Sequence, residues 1–600
     1  MMFLTIAGRQ QRSLVIRLLL ATTILCGQSV VWAQARLTVA HPGSPLDNPP
    51  DLVTFFDQVV QAQLAELKVP GAVVAVVKDG QLLFARGYGM ADLESEIEVH
   101  PQTTLFRIGS ITKLFTWTAV MQLQEQGLVD LDEDVNHYLD FAIPATFPEP
   151  ITMRHLMTHT AGFEDHGFGL YSRDAETMHT NAEWVTAIVP ARIWPVGEYS
   201  AYSNYGAALA GYIVERIAGM PYDDYIEQHI LSPLAMRNTT SRQPLPKSLA
   251  EDMAIGYFLA EGQPQAGKFE LVVPSPAGSM SSTAADMVRF MAAHLAHGQL
   301  DGTRILAAAT ADLMHARAFG HDSRLPGVAY GFGEMDGANA RIIGHAGDTG
   351  LFHSLLALVP EDGLGLFVAY NGINASMAGW DLLDAFAATY YPKAGANEWT
   401  VPAGSAARLA PFAGTYRFNR APYTTPGKFI QLFLTASISV APDGTLSMRS
   451  PLGDYSFREV EPLYLREVGG GAEMVLSPAD SSSGRSHAFI SKLPLMALER
   501  LNWTELPATH FAVLNSVTLL FVSAVVAGIV GWRKERQKQT TPNPVPALTT
   551  ATGLLGLLLL CTLIGLGLGS QRMAFGEPAL LRIVAVLSVL FAGTVLLCTV

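Results

Sequence analysis

Phe106-Arg107-Ile108-Gly109-Ser110-Ile111-Thr112-Lys113-Leu114-Phe115-Thr116-Trp117 is the stretch on which the reading of this chain turns. Ser110 and Lys113 stand three residues apart, and Leu114, Trp117 and Met121 follow at helical spacing, with Ile111 and Phe115 beside them. A helix beginning near Ser110 brings the two polar side chains onto one face within a single turn. A serine hydroxyl is a weak nucleophile until a base takes its proton. A lysine becomes that base once burial and nearby positive charge lower its pKa. The free N–H groups of the first helical turn favour negative charge developing there. On its own the spacing means little, because Ser-x-x-Lys arises by chance about once in a chain of this length and ordinary composition.

Outward from that stretch, the preceding text gives a helix over residues 51–67, with Leu52, Phe55, Phe56, Val59, Val60 and Leu64 in period. A hairpin follows over 71–89, turning at Lys78-Asp79-Gly80. The helix that opens near Ser110 stops at Gly127, a C-cap residue. Residues 152–238 read as helices with loops. His155 and His159, four apart, have a zinc-compatible spacing, but no Glu stands in the general-base position and no third ligand is evident. No metal is expected.

A Pro/Gly-rich turn, Trp194-Pro195-Val196-Gly197, delivers Tyr202 and Asn204 just before an apolar helix. At i, i+2 in an extended segment both side chains face the same way. A phenol can relay a proton, and a carboxamide can orient a lysine and a substrate amide together. Gly278 to Asp286 then enters a helix over 287–297. Arg341-Ile342-Ile343-Gly344-His345-Ala346-Gly347-Asp348 reads as a strand, followed by strands over 354–359 and 364–370 around a turn at Pro360-Glu361-Asp362-Gly363. One hairpin near the start and three strands near the end, with helices between, predict a single antiparallel sheet flanked by helices, an α+β plan.

Ser110-x-x-Lys113, Tyr202-x-Asn204 and His345-x-Gly347 occur in this order, with Pro195-x-Gly197 before the second. Over roughly residues 50–390 the chain resembles the serine β-lactamase and penicillin-binding-protein superfamily, on the branch of class C enzymes, D-Ala-D-Ala peptidases and esterases. The resemblance implies a β-lactamase-like antiparallel sheet with a helical subdomain, and chemistry without metal or organic cofactor. It implies Ser110 as the acylated nucleophile, Lys113 as its base held by Asn204, and Tyr202 sharing proton transfer. It places His345 and Gly347 on the substrate-binding strand, and the oxyanion hole at the backbone N–H groups of Ser110 and Asp348. His345 departs from the pattern: many relatives carry a lysine there, a permanent cation for a substrate carboxylate, and Ala346 lacks the hydroxyl many offer. Histidine is only partly charged near neutral pH. The departure disfavours an efficient β-lactamase and favours an esterase or a peptidase handling D-amino acids.

The flanks give the setting. Six hundred residues are too many for one core, so two or three folded units are expected. A net charge of −14 with no long basic stripe argues against a nucleic-acid partner. Cys26, Cys561 and Cys598 all lie in apolar segments, leaving no disulfide framework and no thiol chemistry in the polar part. Residues 1–35 read as a signal peptide: Arg9, Arg12 and Arg17, an apolar run over 18–26, then Ala33-Gln34-Ala35. The hydrolase-like domain is expected over 36–395. A small all-β domain follows over 405–505, opening at Phe412-Ala413-Gly414-Thr415-Tyr416-Arg417-Phe418, with strands over 429–434, 437–440, 445–450 and 487–492; it is read as an appendage shielding one edge of the cleft. Transmembrane helices are expected over 511–532, 551–570 and 579–600. Arg533, Lys534, Arg536 and Lys538 follow the first span, which puts that loop in the cytoplasm and the hydrolase outside. The expectation is an exported, membrane-anchored serine hydrolase acting through an acyl-enzyme on a small-molecule or peptide substrate: an ester, a D-amino-acid peptide or a β-lactam. The alternative is a non-turnover penicillin-binding-type receptor or scaffold, which would stay acylated where an enzyme cycles.

Overall fold

A computed structural model describes residues 49–568 except 168, 337–338, 393–399, 480–483 and 538–543, together with isolated helical residues between 583 and 595. The expected signal peptide and most of the third expected span, 579–600, lie outside the described residues.

Helix α1 (Pro49–Leu67) leads into strand β1 (Gly71–Lys78) and, through the Asp79-Gly80 turn, strand β2 (Gln81–Asp92). Both turn residues have positive φ, 50° and 76°, the left-handed pair a two-residue hairpin needs. Far along the chain come β3 (Ile342–Asp348), β4 (His353–Val359) and β5 (Leu364–Tyr370). β5 pairs antiparallel with β1, from Ala72 opposite Tyr370 to Lys78 opposite Leu364, so the two ends of the domain meet in the sheet. From one edge the nine-stranded sheet runs Arg317–Phe319, Val328–Ala329, Gly333–Met335, β3, β4, β5, β1, β2 and Ile97–Glu98.

Alternation along β1 splits its side chains between two cores. Val73, Ala75 and Val77 join the core shared with helices α2 (Thr112–Glu125), α3 (Asn204–Ala218) and α4 (Ala284–Leu295). Ala72, Val74 and Val76 face α1 and α5 (Ala378–Tyr390), where the Phe55 and Phe386 rings meet edge-on at 6.0 Å. A strand covered on both faces is a continuous apolar run, as Val73-Val74-Ala75-Val76-Val77 is. α2 is buried all round from Thr112 to Leu123, so it is a core helix and not a surface helix with one apolar face. Its polar side chains are bonded within: Thr116 Oγ1 donates to the Pro276 carbonyl at 2.7 Å, and Gln122 Nε2 donates to the His229 and Ile305 carbonyls at 3.0 Å.

After the sheet domain, eight strands between Gly414 and Arg500 form an up-and-down barrel, closed where Tyr416 pairs with Arg500. Side chains fill its interior, among them Tyr416, Ile438, Met448, Phe457, Met474 and Leu498, as an eight-stranded barrel allows. The strand expected over 429–434 is instead a 3-10 helix, Pro426–Leu432. The Phe433 and Leu434 N–H groups both donate to the Ile430 carbonyl, in turn bonds that take the place of a ladder. The barrel and the sheet domain share a core in which Trp194, Tyr199, Ala201 and Leu325 pack with Tyr464, Val475, Phe489 and Ala497.

Two apolar helices follow, α6 (Pro507–Glu535) and α7 (Val545–Leu568), each long enough to cross a bilayer. The second begins earlier than the expected 551. They pack antiparallel through small residues. A Cβ at Gly528 would fall 2.1 Å from Thr550 Oγ1, and one at Gly553 would fall 2.7 Å from the Phe521 carbonyl oxygen.

Candidate active site

Residues 109–111 form one 3-10 turn before α2, which puts Ser110 at the mouth of the buried helix and Lys113 one turn inside it. Lys113 is fully buried. Its Nζ lies 3.0 Å from Ser110 Oγ, 2.8 Å from Asn204 Oδ1 and 2.6 Å from the Ala277 carbonyl oxygen. Burial, with the Arg420 cation adding to it, holds the Lys113 amine well below its ordinary pKa. The carbonyl and the carboxamide oxygen can only accept. In the neutral amine they take both hydrogens and leave the lone pair aimed at the Ser110 hydroxyl.

Asn204 is the first residue of α3, capped by Ser203, whose Oγ accepts from the Gly206 N–H at 3.1 Å. Tyr202, two residues earlier, is buried, and Lys113 Nζ lies 4.8 Å from its ring centroid. Burial raises the phenol's pKa, against the Arg420 cation and the Ser110 hydroxyl beside it. Tyr202 Oη is buried, with the Ser110 hydroxyl as its polar neighbour. The segment 199–203 is held on several sides. The Ser200 N–H donates to His321 Nε2 at 3.1 Å, the Ser203 N–H donates to His159 Nδ1 at 3.1 Å, and Ser200 Oγ donates to the Thr158 carbonyl at 3.1 Å. His155 is spent in a capping box with Thr152 and His159 on Ser203 and the Tyr202 ring, so the two rings serve local contacts.

Strand β3 runs past Ser110 at the closest range a backbone permits. A Cβ at Gly347 would fall 1.9 Å from the Ile108 carbonyl oxygen, and one at Gly109, whose φ is +48°, would fall 2.6 Å from the Asp348 nitrogen. Glycine is therefore required at both positions. Ser354 Oγ, on β4, donates to both the Ile108 and the Gly347 carbonyls, at 3.0 and 3.1 Å, and ties the two segments. The Asp348 carboxylate pairs with His353 Nδ1 at 2.6 Å.

His345 is buried and not a cation: burial first, then Lys113, pushes its pKa down to about 3. Its Nδ1 lies 2.5 Å from the Ala346 carbonyl and donates to it, so Nε2 is the acceptor face. That Nε2 is buried without a partner, and its ring lies 5.8 Å from that of Tyr202. The Tyr202 and His345 rings thus lie side by side, each carrying a buried polar atom.

Sequence reasoning missed the barrel's part in this site. The Tyr202 N–H donates to the Leu495 carbonyl at 3.1 Å, and Asn419 Nδ2 donates to the Ser200 carbonyl at 2.9 Å. Arg420 lies over the Tyr202 ring, its Cζ 4.5 Å from the centroid. The next turn reaches Glu164, whose buried carboxylate accepts the N–H groups of Tyr423 and Thr424 and the Thr424 hydroxyl. The barrel thus contacts the segment that carries Tyr202. A cavity of about 440 Å³, lined by Leu245, Ile255, Leu271, Leu351 and the buried Arg107, opens beyond the end of β3 and does not include Ser110.

Protein flp of Staphylococcus aureus (strain MW2) is 28% identical over 321 residues, covering 52% of this chain and 62% of that protein, so the match spans less than two thirds of that relative's length. Penicillin-binding protein 4 of Amycolatopsis lactamdurans is 31% identical over 376 residues, 58% of this chain and 94% of that protein. Among solved structures, the octameric penicillin-binding protein homologue from Pyrococcus abyssi shares the fold at a TM-score of 0.50 and 22% identity, over 75% of this chain and 100% of that one. SurE with D-Leu does so at a TM-score of 0.52 and 21% identity, over 76% and 99%. The family model described as Beta-lactamase matches residues 56–389, more than half of the sequence, and the chain belongs to that family.

Proposed function

We propose that this chain is an exported, membrane-anchored serine hydrolase that works through an acyl-enzyme on Ser110. The observation that carries the reading is the buried Lys113 amine 3.0 Å from Ser110 Oγ, with its two other contacts fixed to obligate acceptors. Neutral Lys113 takes the Ser110 proton as Oγ attacks the substrate carbonyl. The developing oxyanion is met by the N–H groups of Ser110 and Asp348, which the close approach of residues 108–110 to 347–348 supports; such donors are worth about 3 kcal/mol each. Tyr202, protonated at neutral pH, passes its proton to the leaving group and is reprotonated from the Lys113 ammonium; the restored neutral Lys113 then takes a proton from the deacylating water and returns it to Ser110 Oγ as the acyl group leaves. His345 Nε2 accepts a hydrogen bond from the substrate. Asn204 holds Lys113 and is in place to donate to a substrate amide.

The substrate class is an ester, a D-amino-acid peptide or a β-lactam, and neutral His345 weighs against the last. α6 and α7 anchor the chain in a membrane. Arg533 and Lys534 at the far end of α6 support a catalytic domain on the extracytoplasmic side. The test is turnover by the full chain in detergent on a p-nitrophenyl ester, a D-alanyl peptide and a penicillin. The expectation is that at least one is hydrolysed and that Ser110→Ala abolishes it. Full activity in Ser110→Ala contradicts the reading, and stable acylation without turnover favours a receptor.

A further inference from the structure

The 3-10 helix Pro426–Leu432 and the two residues after it carry apolar side chains that the described residues leave uncovered. Phe433 is 54% exposed, and Phe429 and Leu434 are exposed beside it, with Lys428 among them. A second such residue stands at the foot of α6. Trp503, in the short 3-10 helix Trp503–Glu505, is 74% exposed. Clustered large apolar side chains facing water mark a contact surface.

Its neighbours say what covers it. The Phe433 ring meets the Phe511 ring at 6.0 Å, and Phe511 opens the apolar run of α6. That run, over 511–532, is roughly 33 Å long and matches the hydrocarbon thickness of a bilayer, so Phe511 stands at its boundary on the barrel side. Phe433 reaches the same depth. α7, returning alongside α6, comes against the same 3-10 helix. Trp503 is held to the first turn of α6, where the Thr509 hydroxyl donates to its carbonyl at 2.6 Å. At the other end of the run the Arg536 guanidinium lies 3.7 Å over the Trp532 ring. The two tryptophans bracket the span at the levels where aromatic residues gather in membrane proteins. The foot of α6 is also tied to the barrel: Glu505 accepts from Arg485 at 2.7 Å and from Arg417 at 3.2 Å.

We propose that residues 426–434, with Trp503, form a peripheral membrane-contact surface, which seats the barrel in the headgroup and upper acyl region of the leaflet that α6 and α7 enter from the barrel side. Lys428 is placed for the lipid phosphates. The inference rests on reading α6 and α7 as membrane spans and adds a contact that those helices do not make. The same stretch of the barrel reaches the catalytic domain: Asn419 donates to the Ser200 carbonyl, and Glu164 holds Thr424. A chain covers at most about 3.6 Å per residue, so the path from Thr424 to Phe429 is no longer than roughly 18 Å. The barrel therefore holds the segment that carries Tyr202 close to the membrane surface.

The experiment uses the wild-type full chain in vesicles of phosphatidylethanolamine and phosphatidylglycerol. One preparation contains a phospholipid with a diazirine near the top of an acyl chain, the other a phospholipid with the diazirine at the chain's end. Crosslinks are mapped to residues by tandem mass spectrometry. α6 is the internal reference, and Leu82 and Met377, exposed apolar residues of the sheet domain, give the background. The shallow probe is expected to label 426–434 and Trp503 about 10-fold or more above Leu82 and Met377, as burial of their apolar area in the interface requires. The deep probe is expected to label the middle of α6 and to leave 426–434 at background. If α6 is labelled while 426–434 and Trp503 stay at background with the shallow probe, the proposal is overturned and the spans stand; a second copy or another segment of the chain covering the patch gives this result. Equal labelling of 426–434, Leu82 and Met377 overturns it as well. If neither probe labels α6, the membrane reading itself fails. No variant is needed, so folding of a mutant does not enter the test.

Discussion

Of the three hydrogen-bond partners of Lys113 Nζ, two are atoms that can only accept, and this supports the proposed role of Lys113 as the base of Ser110. Removing the amine in Lys113→Ala is expected to slow Ser110 acylation by roughly 10²- to 10⁴-fold, the usual worth of a positioned general base, as read by fluorophosphonate labelling rates. The pH profile has a defined sign. Burial, and Arg420 after it, lowers the Lys113 pKa, so the neutral base is present at lower pH than an ordinary lysine allows, and acylation falls as protons return to it. Arg420→Gln removes a neighbouring cation, and the acid limb of its labelling-rate profile should move to higher pH. A limb that stays put or moves down would show that Arg420 does not act on Lys113. Ser110, Lys113, Tyr202 and Asn204 were legible in the sequence because short-range geometry links each pair: one helical turn, or alternation before a helix. Their meeting place was legible only from their order. The Ala277 carbonyl on Lys113 and the neutrality of His345 were not legible, since both depend on packing by segments distant along the chain.

At the scale of elements, the site is a seam between the turn at 108–110 and β3, with glycine on both sides. Gly347→Ala is expected to abolish acylation, because a Cβ 1.9 Å from the Ile108 oxygen forces β3 away from Ser110. Ser354→Ala is the milder probe. It removes the hydroxyl that bonds both carbonyls and should cost about 1–2 kcal/mol of stability in urea unfolding, with slower acylation. Unchanged stability and rate in Ser354→Ala would mean that the seam holds without the tie. The five long strands of the sheet were legible because their apolar runs and turns are local signals, with β1 and its Asp-Gly turn the plainest case, whereas the four short strands at its edges carry too few residues to signal themselves. Residues 429–434 were misread for a related reason. Phe429, in the 3-10 helix, and Phe433 and Leu434, just after it, are apolar enough for a strand but are substantially exposed. Apolar content without a pairing partner does not make a strand.

The sheet domain meets the barrel through a neutral histidine, His321, and folding is therefore sensitive to acid. His321, which accepts from the Ser200 N–H and stacks on Phe489 of the barrel at 4.5 Å, is pushed down to about 3 by burial and then by His487; His345 is likewise near 3. Their folded pKa values lie below the unfolded value near 6.5. The stability each contributes is therefore present above about pH 6.5 and lost as pH falls toward 3, with a slope of about 1.4 kcal/mol per pH unit for each proton taken up. Urea midpoints should fall between pH 7 and 5, and His321→Gln, which retains an acceptor without titrating, should flatten the decline. A midpoint independent of pH over that range would contradict this account. The sheet domain's fold class and the presence of an all-β domain after it were legible from strand patterns; that its strands close into a barrel was not. The interface was not, because Asn419, Arg420 and Leu495 lie some two hundred residues or more from Ser200 and Tyr202, and no motif marks them.

The most direct measurement is the intact mass of the full chain after a fluorophosphonate, beside Ser110→Ala. The account predicts one covalent adduct on the wild type, mapped to Ser110, and none on the variant. No adduct on either protein, or an equal adduct on both, would contradict the claim that buried Lys113 activates Ser110.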